Sequence, residues 1–111
     1  MTILHCLKEA EWDEYRDKGF YGEGYIDGEG FIHCSDIHTF HRVAPNFKNI
    51  SEPMVILCID TSKVKANVRW EDLYGEGTAY PHIYGLLNLD AVTDVLPFLR
   101  DENGDLLLIV D

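Results

Sequence analysis

The chain has 111 residues, 46% hydrophobic and 26% charged, a length for one domain and a composition that excludes intrinsic disorder. Its 9 Lys and Arg against 20 Asp and Glu give a formal charge of -11. Such a chain lacks the basic contacts of a nonspecific nucleic-acid binder and is repelled by an anionic membrane surface, yet a small anion held by local cations stays compatible with it.

Thr2 to Leu7 reads as a short strand and Lys8 to Lys18 as a helix. Trp12 and Tyr15 share one face of that helix. Glu9, Glu11, Asp13, Glu14 and Asp17 cover the rest as a solvated face, and Gly19 is a terminator. Gly19 to Gly30 is glycine-rich. No Lys-Ser/Thr follows it, and Glu23 and Glu29 repel phosphate, so it reads as a mobile loop or hairpin connection rather than a phosphate cradle.

Gly30 to Ser35 reads as a strand running into a helix capped by Ser35 or Asp36, with Ile37, Phe40, Ala44 and Phe47 as its buried stripe. Pro45 kinks or ends that helix near Ala44. Met54 to Asp60 is continuously apolar, as a strand buried on both faces requires. Ala66 to Glu71 is a further strand, and Tyr80 to Tyr84 is extended because of Pro81. Val92 to Leu99, the Asn103-Gly104 turn and Leu106 to Val110 read as a hairpin, with Pro97 at an edge or bulge.

Cys6, Cys34 and Cys58 are odd in number and form no C-x-x-C pair, which fits a reducing compartment. Met1 to His5 has no basic stretch leading an apolar signal core, and the apolar runs are too short to span a bilayer. A cytoplasmic location is therefore expected. Cys34, although close to a predicted helix start, reads as a buried structural thiol that points away from His33.

His5 in the first strand, His33 at a strand end and His82 in an extended segment lie where small ligands dock, each as a ligand contact or as a hydrogen-bonded structural histidine. Ser35 is a helix cap or a polar ligand contact. Glu71 is a candidate acid/base or one of a surface acidic set with Asp72 and Glu76. His38 and His41, spaced three apart, offer with His33 only a weak three-histidine metal pattern, so no metal ligand is assigned.

Gly30-Phe31-Ile32-His33-Cys34-Ser35 and Tyr80-Pro81-His82-Ile83-Tyr84-Gly85 together resemble the bacterial family catalogued as domain of unknown function 952. His5, Trp12, Gly19, Val43-Ala44, Trp70-Glu71 and Ala91-Val92 extend the resemblance over nearly the whole chain, with Pro45 as a departure. The resemblance implies an ADP-ribosyltransferase-like fold, of the branch containing RNA 2′-phosphotransferases. By it, His5 contacts a ribose hydroxyl, His33 lines the nicotinamide side as a catalytic residue and Ser35 lies close by. His82 and Tyr84 complete the ligand-binding set; Glu71 stands for the catalytic glutamate, and Arg42 and Lys48 either meet a diphosphate or are solvated surface residues.

The expected fold is α+β, two helices on a strongly bent, mostly antiparallel sheet system of about six strands. The expected function is binding of NAD or a related nucleotide, with or without turnover of NAD as a substrate for ADP-ribose transfer, and no resident cofactor. The alternatives are a noncatalytic small-ligand or protein-binding module and a histidine metal site.

Overall fold

The computed structural model describes residues 1–107. In chain order the strands and helices are β1 (Thr2–Lys8), α1 (Glu9–Tyr15), β2 (Phe20–Tyr21), α2 (Glu23–Gly28), β3 (Ile32–His33), α3 (Phe40–Val43), β4 (Met54–Asp60), β5 (Asn67–Glu71), β6 (Tyr80–Tyr84), β7 (Leu87–Asn88), β8 (Val92–Pro97), β9 (Leu99–Arg100) and β10 (Leu106–Leu107). The architecture is α+β, and every strand pair among the described residues is antiparallel. Among the described residues there are three α-helices rather than two, and more strands than expected, because several are only two residues long.

Two three-stranded sheets carry the fold, ordered β1-β4-β8 and β3-β6-β5; β2-β7 and β9-β10 are small ribbons. β1 and β4 pair along their full length, from Thr2 opposite Asp60 to Lys8 opposite Met54. Alternation sends Ile3, Leu7, Val55, Leu57 and Ile59 into one core cluster with Trp12, Tyr21, Ile32 and Ile83. It sends Leu4, Cys6, Met54 and Ile56 into a second with Phe40, Ala44 and Phe98. Both faces of β4 are thus covered, which is why its sequence is an unbroken apolar run.

Several expectations are corrected. The glycine-rich stretch holds β2 and α2, not a loop alone. Its helix starts after Gly22, whose φ of 113° only glycine adopts readily, and Tyr25 and Ile26 anchor it against the first core cluster. The second predicted helix is reduced to α3, followed by a 3-10 turn at Ala44–Phe47 that takes Pro45 in its first positions. Ile37 is 45% exposed and lies outside the stripe, whereas Phe40 and Ala44 are buried. The first helix is shorter than Lys8 to Lys18, and Glu11 has left its solvated face to accept from the buried Tyr21 hydroxyl at 2.9 Å. β8 pairs with β4, and Pro97 ends it on the sheet edge. The hairpin joins β9 to β10 around the Asn103-Gly104 turn. The predicted strand residues Leu108 to Val110 lie outside the described residues. All three cysteines are free thiols. Among the described residues no helix is long and apolar enough to cross a membrane.

Candidate functional site

The second sheet builds a polar-aromatic wall from simple alternation. His33 pairs with His82 across β3 and β6, and His82 with Arg69 across β6 and β5. Residues two apart on a strand share a face, so Tyr80, His82 and Tyr84 stand with His33, Arg69 and Glu71. Ile32 and Ile83, one residue out of phase, are fully buried in the core behind them. Pro81 accepts from the Cys34 amide at 3.1 Å but has no N–H to return. The β3–β6 ladder ends there, and Ser35 turns to exchange hydrogen bonds with Leu4 of β1, at 2.6 and 2.8 Å. This crossing brings β1 beside the histidine wall.

The result is a cleft of about 490 Å³ whose lining includes His5, His33, Ser35, His82 and Arg42, gathered from distant parts of the chain. Tyr25, Tyr74, Tyr80 and Phe47 add aromatic surface, and Asn46 and Glu76 add polar groups. The loop that contributes Tyr74 and Glu76 is ordered by Asp72, whose carboxylate accepts from the amides of Glu76 and Gly77 at 2.9 and 2.8 Å. Arg42 donates to the Thr78 hydroxyl at 2.9 Å, which ties α3 to the same loop.

Each wall histidine has its own carboxylate. Glu71 accepts from Nδ1 of His82 at 3.0 Å and also from the Tyr84 hydroxyl. These two donors hold the Glu71 carboxyl below the usual carboxylate range. His33 pairs through Nε2 with Glu29. The rings of His33 and His82 meet edge-on with centroids 5.6 Å apart, and Phe31 packs 4.4 Å from the His82 ring. His82 is 3% exposed, whereas the His33 side chain is 39% exposed.

His5 is different. Its Nδ1 donates to the His33 carbonyl at 2.6 Å, and its Nε2 lies 3.1 Å from the Tyr21 hydroxyl. Burial pulls its pKa from 6.5 down to about 4, so the ring is neutral near pH 7. Both nitrogens face protein groups, and the ring lines the cleft. Glu71 and Tyr84 are outside the cleft lining and join it through the hydrogen bond of Glu71 to His82. Ser35 lines the cleft but caps no helix; Asp36 instead accepts from the Thr39 amide at 2.7 Å. Lys48 is turned away and pairs with Asp105 at 3.4 Å. His38 and His41 are exposed. Cys34 is buried, and burial pushes its thiol up, away from reactivity.

The family described as protein of unknown function (DUF952) matches residues 6–95. The chain belongs to this family. The DUF952 chain also superposes on the crystal structure of protein CC0527 from Caulobacter crescentus with a TM-score of 0.83 at 27% identity, over 96% of this chain and 94% of that one. The solution structure of the same Caulobacter crescentus protein gives a TM-score of 0.78 at 27% identity, over 94% and 90%. No curated protein matches the chain.

The DUF952 sequence carried a signal for one further cleft residue, Tyr80, and none for Glu29, the partner of His33. Tyr80 stands two residues before His82 in an extended segment and must share its face. Glu29 stands four residues before His33 but on another element, so only the fold pairs them.

Proposed function

We infer that the cleft is a small-molecule site and that its ligand is a nucleotide of the NAD or ADP-ribose class. The observation that carries this reading is the opposed pair His33 and His82, set by strand register on the cleft side of the second sheet. A cleft of about 490 Å³ falls within the usual range for small-molecule sites. Tyr25, Tyr74 and Tyr80 offer faces for a base or nicotinamide ring, and Arg42 offers a guanidinium for a diphosphate. Ser35 and His82 supply a hydroxyl and a ring nitrogen for ribose hydroxyls.

In this reading His33, Ser35, His82 and Arg42 touch the ligand, while His5, Glu71 and Tyr84 position them. The resemblance to ADP-ribosyltransferases supports a transfer reaction at the ribose carbon as nicotinamide leaves, with the cleft supplying orientation and electrostatics. A metal centre finds no support: among the described residues no group of three His, Cys, Asp or Glu side chains is placed to hold an ion.

The test pairs thermal unfolding with titration by NAD, ADP-ribose and nicotinamide, on wild type and His33→Ala. The exposed His33 side chain predicts a small melting change. Loss of one good contact predicts about tenfold weaker binding, since ~1.4 kcal/mol is a factor of ten. Saturable NAD binding without nicotinamide release identifies a noncatalytic module. No binding to the wild type at millimolar concentration refutes the nucleotide reading.

A further inference from the structure

We propose that His82 is the general base of the cleft, taking a proton from a bound O–H group, either water or a ligand hydroxyl, with Glu71 as its positioning residue. The proposal rests on the cleft being a ligand site but not on a nucleotide as its occupant.

A carboxylate only accepts hydrogen bonds, so the 3.0 Å contact with Glu71 requires the proton of the neutral ring to sit on Nδ1. The lone pair is then on Nε2. Among the described residues Nε2 has no hydrogen-bond partner, although His82 is 3% exposed and lines the cleft. A ring nitrogen sealed without a partner is costly; among the described residues this one is not sealed, so it is open to a ligand or water. The ring is held on two sides, by Glu71 and Phe31. Glu71 fixes its tautomer, Phe31 packs against it, and the Tyr84 hydroxyl pins Glu71 from beyond. Tyr84 is itself held by the Arg69 guanidinium, 4.8 Å from its ring centroid. His33 lacks this arrangement, because Glu29 takes its Nε2 and its side chain is more exposed.

The proton transfer balances simply. The O–H bond breaks and its proton moves to Nε2. The oxygen lone pair bonds to an electrophilic carbon, and the leaving group departs with the electron pair of its own bond. Glu71 stays ionised and stabilises the imidazolium beside it.

The probe is hydrolysis of p-nitrophenyl acetate to acetate and p-nitrophenolate by the whole chain. Wild type is expected to exceed the buffer rate, and His82→Gln to lose about 100-fold of the protein-dependent rate, the ordinary scale of a general base. Added imidazole is expected to restore turnover in His82→Gly. Nitrogen-15 NMR of the wild type is expected to show the His82 proton on Nδ1, and Glu71→Leu to lose that preference without loss of fold. Equal rates for wild type and His82→Gln, or a wild-type proton on Nε2, overturn the proposal. If His82→Gln does not fold, the wild-type tautomer decides. Failure of NAD titration with ester hydrolysis intact refutes only the nucleotide; NAD binding with no His82-dependent hydrolysis refutes only the base.

Discussion

Acidification tests the burial of His5. Its ring is 3% exposed, with Tyr21, Tyr25 and the backbone of His33 around it and Glu11 beyond the Tyr21 hydroxyl. Burial lowers its pKa from 6.5 to about 4 in the folded chain, while the unfolded chain keeps the ordinary value. Between those two values the unfolded state binds the extra proton. The stability contributed by the neutral ring is therefore full above about pH 6.5, falls as the pH drops through 4 and levels off below that value. The loss is about 2 kcal/mol by pH 5 and about 3 kcal/mol by pH 4, from values of 6.5 and about 4. That is a large share of the ~5–15 kcal/mol stability usual for a domain. Urea unfolding of wild type and His5→Gln at neutral pH, pH 5 and pH 4 isolates it. Titrations common to both chains, including those of the many surface carboxylates, cancel in the difference. His5→Gln is expected to be the less stable at neutral pH, because it loses ring packing beside Tyr21. The gap is expected to narrow by about 3 kcal/mol on acidification. A gap that stays constant with pH would refute the buried, neutral His5.

Gly22→Ala is expected to destabilise by at least ~2 kcal/mol in thermal or urea unfolding. A Cβ there takes φ 113° and lies 2.4 Å from Cδ1 of the fully buried Ile32. Gly24→Ala, with nothing within 4 Å and a place inside α2, is expected to stabilise by about 0.5–1 kcal/mol, and a loss would place its backbone outside the helical region. Replacing both His38 and His41 by Gln is expected to change stability by less than ~1 kcal/mol and to leave ligand affinity unchanged, since both are exposed and outside the cleft lining. A drop in affinity on calorimetric titration would place His38 or His41 in the ligand site.

Local signals in the sequence determined the apolar centre and several turns. The run Met54 to Asp60 declared a strand buried on both faces, and Pro97 declared a sheet edge. Asn103-Gly104 declared a turn, and Pro81 an extended segment. His33 and His82 were legible as site candidates because each sits in or beside a short strand with apolar neighbours. Tertiary structure alone decided what surrounds them. α2 is a six-residue helix rich in glycine, a poor helix former, and its hold on the first core cluster through Tyr25 and Ile26 overrides that propensity. Ile37 matched the helical spacing, yet α3 starts only at Phe40 and leaves it exposed. Glu71 and His82 meet only because the β5–β6 register brings Arg69 opposite His82 and sets Glu71 on the same face. His5 looks from its sequence neighbours like any strand histidine. Its burial, its neutrality and its bond to the His33 carbonyl come from the crossing of β1 over Ser35, a contact between segments 31 residues apart that no local pattern encodes.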